Sequence, residues 1–419
     1  MATPQQPLGN EMAVALPAGL RRVALVFGTF PPSNDGGADF VYNLSKHLAQ
    51  AGLEVHVITS KEWAGFDATG MPDGFRLWPI VGDWRLRATG GGGAQGFVDA
   101  LSKIQPHVVH VVYPCSRHVN DYELPVLLKR SVACPVVVTF FSLDLLKGVT
   151  WRTRLNSLRL ITSSDVVTTH DPFYLRILKA LRPHRGFGAY LVPVGVNVDP
   201  GHQTYDPLLV PQMREVLGLE EANYVAHFGQ VDASRDVATL MRAAAMLRGS
   251  RRNVKVLMIG ADQPDWNKAT GADRRAQRAA TESAAALGEK AVMWTGYVSQ
   301  EQVVRYFLAS DCAVLPFRRN TLGRSSLALA LTLGMPVVTS GKRQNAFMRD
   351  RVNALLVPPG NARALASAMA LLLDSPALRA HLSSGARQVS RWYSWQSVTS
   401  RTLLAYAQAT RMAGGSLGH

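Results

Sequence analysis

Residues Asp311–Ser340, DCAVLPFRRNTLGRSSLALALTLGMPVVTS, decide how this chain folds. Cys312–Pro316 is a short apolar run suited to a buried parallel strand, and Leu327–Leu333 is an apolar helical run opened by Arg324-Ser325-Ser326. Gly334 ends that helix, and Pro336-Val337-Val338 begins the next strand. Strand, polar loop, helix, tight turn and strand make one crossover of a parallel sheet. A doubly wound sheet binds its ligand in such a loop. Here the loop carries Arg318, Arg319 and Arg324 beside hydroxyls at a helix N-terminus, a combination that suits a phosphate-bearing ligand.

The same pattern extends in both directions. Upstream, apolar runs at Val23–Phe27, Val55–Ile58, Val108–Val112, Val136–Phe140, Val166–Thr169 and Tyr190–Pro193 alternate with helical patterns. Downstream, the series is Tyr224–Phe228, Val254–Ile259, Val292–Thr295, Cys312–Pro316, Pro336–Thr339 and Ala354–Val357. Short β-rich runs with intervening helices imply parallel sheets built from right-handed crossovers. The chain therefore reads as α/β, with two Rossmann-like domains facing each other across a ligand cleft at the C-terminal ends of both sheets. The expected division is a flexible N-terminus at 1–20, a first domain at 21–200, a second at 201–391, and a closing helix with a flexible tail at 392–419. Val194–Pro211, rich in proline, is the expected linker.

Composition agrees with a two-domain protein of 419 residues, 47% of them hydrophobic. Cys115, Cys134 and Cys312 lack metal-ligand spacing and read as packing residues of a reduced compartment. No apolar run approaches the roughly 18 residues of a membrane span, and the N-terminal segment lacks the basic start of a signal peptide. The expected location is cytoplasmic. The net charge of +15 is uneven, with 19 Lys and Arg against 15 Asp and Glu in residues 1–205, and 26 against 15 in 206–419. Such a surface suits a multiply charged small ligand or peripheral contact with an anionic inner membrane face. With no nucleic-acid-binding signature present, no nucleic acid partner is expected.

The first crossover adds its own signal. Gly28-Thr29-Phe30-Pro31-Pro32-Ser33-Asn34-Asp35-Gly36-Gly37 joins the first strand to a helix with Phe40, Val41, Leu44 and Leu48 on one face. Two prolines stiffen this loop, and Gly36 and Gly37 read as letting backbone N–H groups approach a ligand closely. The loop is not the GxGxxG dinucleotide fingerprint, so nicotinamide or flavin binding loses support.

Five phrases, in order, now resemble a known family: FPPSNDGGADFVYNLSKHLAQAGLEVHVITS, VPVGVNVDP, FGQVDASRDVATLMRAA, TGYVSQEQVVRYFLASDCAVLPF, and GMPVVTS followed by NALLVPPGNARALASAMALLL. They resemble the family 4 retaining glycosyltransferases of the GT-B fold, from about Arg22 to Ala409. The resemblance implies transfer of a sugar, with retention and without a metal, from a nucleotide-diphosphate donor in the second domain to an acceptor held mainly by the first. It implies no bound cofactor beyond the nucleotide sugar itself as co-substrate. It also implies that Trp392–Ala409 crosses back to the first domain. The donor-binding residues it implies, together with those read from the loops, are Gly36, Gly37, Gln230, Arg235, Tyr297, Thr321, Gly323, Arg324, Ser325 and Ser326.

The departures from the family fall at the chemistry. Of the basic pair after the second domain's first strand, only Arg235 is basic, and Gln230 fills the other position. The family's two glutamates fall on Thr321 and Leu329, and Leu329 cannot accept a hydrogen bond from a ribose hydroxyl. The family's first-domain histidine is replaced by Phe141. His110, Asp144 and His170 are the remaining acceptor-side candidates. His107 and His110, three apart on a strand, point to opposite faces and do not share a metal. Gly323-Arg324-Ser325-Ser326 offers backbone N–H groups, two hydroxyls and a guanidinium to a diphosphate. Two readings follow: a metal-independent glycosyltransferase with an atypical donor site, or a catalytically silent GT-B protein that binds a sugar nucleotide or a partner transferase. The sequence names neither sugar, base, acceptor nor oligomeric state.

Overall fold

A computed structural model gives the fold and describes residues 16–33, 35–82, 84, 92–114, 124–141, 143, 151–182, 187–250, 252–318, 323–341 and 347–415. The chain divides into two compact units. One is Val198–Tyr393; the other joins the described residues before Val198 to those from Ser394 onward.

The N-terminal unit is built on seven strands: β1 (Arg22–Val26), β2 (Glu54–Ser60), β3 (Phe75–Val81), β4 (Val108–Tyr113), β5 (Val136–Phe140), β6 (Val166–Thr169) and β7 (Gly188–Leu191). They run in the order β3-β2-β1-β4-β5-β6-β7, every pair parallel. Valine dominates the central strands because both faces are covered, and β-branched side chains pack well there. The helix Trp395–Gly415 supplies part of one face, with Val398, Leu403, Tyr406 and Ala409 in the same apolar cluster as Leu25, Val57 and Val137. Sequence reading missed β3. Its FRLWPIV carries Pro79, which breaks the strand signal but is harmless on an edge, where one side of the backbone needs no partner.

The C-terminal unit has six parallel strands: β8 (Asn223–Phe228), β9 (Val254–Ile259), β10 (Val292–Trp294), β11 (Cys312–Leu315), β12 (Val337–Ser340) and β13 (Leu355–Val357). Their order is β10-β9-β8-β11-β12-β13, so β8 has β9 on one side and β11 on the other. The loops after β8 and β11 therefore diverge from one point on the C-terminal edge, where open α/β sheets bind ligands. The helix Ser325–Thr332 is buried from Ser326 through Leu331, as its run of leucine and alanine requires, and Gly334 closes it at φ +70°. Among the described residues no helix is long and apolar enough to cross a membrane.

Candidate functional site

At the end of β8 the chain turns through Gly229 at φ +119°, a backbone conformation that glycine tolerates. Asp232 then organises the loop. Its carboxylate accepts the N–H of Ser234 at 2.7 Å and that of Arg235 at 3.1 Å, and pairs with the Arg235 guanidinium. Burial pushes the Asp232 carboxyl up, but the Arg235 charge and the Ser234 and Arg235 donors together outweigh it and hold the group below the ordinary carboxylate range. The Arg235 side chain lies against Gly229, where a Cβ would come 2.9 Å from Nε. That Nε is buried and has no hydrogen-bond partner among the described residues.

The loops after β8 and β11 are knitted together. Arg235 and Phe317 form an antiparallel bridge, Arg318 N–H donates to the Ser234 carbonyl at 3.0 Å, and Asp236 N–H donates to that of Pro316 at 3.0 Å. Phe317 N–H donates in turn to Ser340 Oγ at 3.1 Å, tying the junction to β12. The Arg318 guanidinium is 58% exposed and reaches Asp236, itself only 2% exposed, at 3.3 Å. Arg324 holds its guanidinium 5.3 Å over the Phe317 ring. Three guanidinium groups from two loops thus gather at the shared edge of β8 and β11, two of them facing carboxylates.

Arg324 occupies the cap position of the helix Ser325–Thr332 with extended backbone and no side-chain cap. Gly323 precedes it and Ser325 follows, both half-buried. Ser326 is 3% exposed, and its hydroxyl has no hydrogen-bond partner among the described residues. Leu329 is buried in the same helix, an apolar side chain where the sequence comparison expected a carboxylate. Thr321 and Arg319 lie outside the described residues.

The other donor-side candidates lie toward β9 and β10. Gln230 is exposed and donates from Nε2 to the Gly260 carbonyl at 2.9 Å, while Tyr297, after β10, is 84% exposed. One residue went unnoticed in the sequence. His227, on β8, is fully buried, and its Nδ1–H donates to the Val314 carbonyl at 2.9 Å, leaving Nε2 without a partner among the described residues. Burial, reinforced by the Arg235 charge, pushes it down to about 4. Its signal was a polar residue near the end of a strand with no solvent face.

In the N-terminal unit Asp35 caps the helix Gly36–Gln50, accepting Gly37 N–H at 2.9 Å and the Thr29 hydroxyl at 2.9 Å. A Cβ on Gly37 would come 2.5 Å from Cζ of Phe27, so this glycine is required by packing, and its N–H is already taken. That corrects the reading of Gly37 as a point of ligand approach. Around Gly36 the space is open. Asp39, in the first turn, is pushed up to about 6 by burial and then by the Asp35 charge, another group the sequence did not single out.

His110 has both ring nitrogens engaged, Nδ1 with Tyr406 Oη at 2.8 Å and Nε2 with Thr139 Oγ1 at 2.6 Å, inside the core. It has no ring nitrogen left for an acceptor. His170, just past β6, donates from Nδ1 to the Val192 carbonyl at 2.7 Å, and its buried Nε2 has no partner among the described residues. Its ring meets those of Phe141 at 4.3 Å and Phe40 at 5.1 Å, and burial pushes it down to about 4. An imidazole absent at Phe141 is thus present beside it. Asp144 lies outside the described residues.

Comparison with known proteins matches residues 35–186 to the family described as glycosyl transferase 4-like domain, and residues 210–389 to glycosyl transferases group 1. The alpha-D-kanosaminyltransferase of Streptomyces kanamyceticus is 28% identical over 178 residues, 42% of each chain, so the match takes in less than half of that relative's length. Among solved structures, sucrose-phosphate synthase from Thermosynechococcus elongatus has a TM-score of 0.71 at 20% identity, covering 94% of this chain and 100% of that one. HepE of Anabaena, solved in complex with UDP, has a TM-score of 0.69 at 13% identity, covering 91% and 97%. At these identities the structural likeness speaks to the fold. The two parallel-sheet α/β units thus have the GT-B fold, one matching the glycosyl transferase 4-like domain and the other the glycosyl transferases group 1 family.

Proposed function

We propose that the protein is a glycosyltransferase that moves a sugar from a nucleotide-diphosphate donor to an acceptor hydroxyl, with retention and without a metal ion. The observation that carries the reading is the convergence of Arg235, Arg318 and Arg324 at the edge shared by β8 and β11, beside the start of the helix Ser325–Thr332. As the sugar leaves, negative charge grows on the diphosphate oxygens, and preorganised guanidinium and N–H donors lower the barrier where that charge develops. The UDP named for HepE and the sugar transfer named for the kanosaminyl relative support a nucleotide-sugar donor. In this reading the Val198–Tyr393 unit binds the donor. Asp232 and Asp236 hold the arginines until a diphosphate replaces them as counter-charge.

On the acceptor side the reading uses His170, whose bare Nε2 is an acceptor suited to a hydroxyl, and Asp39, whose raised pKa suits proton transfer. The test is a panel of UDP-, GDP- and ADP-sugars, followed by thermal shift and by release of nucleoside diphosphate. Stabilisation by at least one nucleoside diphosphate, lost in Arg324→Ala, and slow donor hydrolysis are expected. No shift and no release with any donor would remove the proposal.

A further inference from the structure

The C-terminal unit has a groove that the diphosphate reading leaves empty. It lies over the ends of β8 and β9, has a volume of about 610 Å³, and is lined by Gln230, Val231, Asp262, Pro264, Lys268 and Gln277 among others. That volume lies within the range of small-molecule sites. We propose that Asp262 recognises a ribose diol there, making the protein selective for ribonucleoside over 2′-deoxyribonucleoside diphosphates. The inference rests on the donor reading above.

With β10-β9-β8-β11-β12-β13, β8 is the first strand of a doubly wound sheet and β9 its second. In such sheets the phosphates sit at the turn after the first strand, and an acidic residue past the end of the second takes the ribose hydroxyls. Here the two turns are joined directly. Gly229 N–H donates to the Ile259 carbonyl at 3.0 Å, and Gln230 Nε2 donates to that of Gly260 at 2.9 Å. Asp262 follows two residues later, while Arg235 lies against Gly229 in the first of these turns. A ribose joined through its 5′-oxygen to a diphosphate at Arg235 therefore extends toward Asp262.

The groove's carboxylates are not equivalent. Asp265 pairs with Lys268 at 3.3 Å, and Asp273 accepts the N–H of Ala233 at 2.8 Å. Asp262 makes no hydrogen bond or ion pair among the described residues, so both its oxygens remain available to the two hydroxyls of a diol. Gly296, at φ +64°, leaves it room: a Cβ there would come 3.0 Å from Asp262 Oδ1.

The test titrates the full chain and Asp262→Ala by calorimetry with UDP, GDP and ADP, each against its 2′-deoxy form, and with inorganic pyrophosphate. The wild type should prefer the ribo form about tenfold, the value of one hydrogen bond to a charged group. Asp262→Ala should bring that ratio to about one and leave pyrophosphate affinity unreduced. Equal binding of ribo and deoxy forms by the wild type would overturn the inference alone, as would a preference that survives Asp262→Ala or a matching loss of pyrophosphate affinity. Absence of binding by every nucleoside diphosphate would overturn the donor reading as well.

Discussion

The guanidinium of Arg324 stands 5.3 Å over the ring of Phe317, whose backbone bridges to that of Arg235. One buried aromatic residue therefore sets the positions of cationic groups from two loops whose bridged residues, Arg235 and Phe317, lie 82 positions apart in sequence. Phe317→Leu keeps most of the apolar volume but removes the π face under Arg324. It should cost less than about 1.5 kcal/mol of stability while weakening nucleoside diphosphate binding several-fold. Phe317→Ala should cost about 3–5 kcal/mol because the ring is fully buried. Urea unfolding paired with a UDP titration separates the two effects, and unchanged affinity in Phe317→Leu would deny the ring its positioning role.

Gly229→Ala tests the seat of Arg235 without touching a charge. The new methyl would meet Nε at 2.9 Å and would force φ +119° on a residue with a Cβ. Strain of about 1–3 kcal/mol and a displaced guanidinium are expected. Binding of inorganic pyrophosphate should fall with it, read as a smaller thermal shift at saturating ligand. A pyrophosphate response equal to wild type would show that the Arg235 position does not matter.

Tyr406→Phe addresses how the helix Trp395–Gly415 is held on the N-terminal sheet. The Tyr406 hydroxyl meets His110 Nδ1 at 2.8 Å, and His110 continues through Thr139 to Thr168. Deleting one oxygen leaves a buried ring nitrogen unpaired, at a cost of about 1–3 kcal/mol. Limited proteolysis should then cut near Ser394 faster than in wild type. An unaltered cleavage rate would mean that apolar packing alone anchors the helix.

The repeated crossovers were legible because a strand covered on both faces must be continuously apolar, and VVHVVY or VVVTF shows this without tertiary information. β3 was not legible: Pro79 is tolerated only because the strand is at an edge, and edge position is a property of the assembled sheet. Arg235 and Arg324 were legible as donor-site candidates from their loops, but their shared contact with Phe317 was hidden, since it joins residues 82 positions apart through a backbone bridge. Gly37 misled for a related reason. A glycine next to a ligand edge looks the same in sequence whether it admits a ligand or the ring of Phe27.

Asp39 and the buried histidines make stability depend on pH in opposite directions. His170 is held at about 4 and His110 at about 3, below the 6.5 of a free imidazole. Between those values and 6.5 the unfolded chain takes up protons that the folded one refuses, so stability rises with pH and is lost as pH falls through that window. Each histidine contributes a slope of up to about 1.4 kcal/mol per pH unit. Asp39 is held at about 6, above its ordinary 3.8. Here the folded chain keeps the proton longer, so the stabilising contribution is present below pH 3.8 and lost as pH rises through 6. In the N-terminal unit the two effects partly cancel between pH 4 and 6. Asp39→Asn removes one of them: it should stabilise the protein at pH 7, change little at pH 4, and steepen the rise of unfolding temperature across that interval. In the C-terminal unit His227, held at about 4, and Asp232, held below the ordinary carboxylate range, act in the same direction, each losing its stabilising contribution as pH falls. The C-terminal unit should therefore lose stability on acidification, with His227→Gln flattening its profile between pH 4 and 6.5. Thermal unfolding of wild type and both variants at half-unit steps from pH 4 to 8 reads these slopes. Parallel curves for all three would show that neither group titrates differently in the folded state.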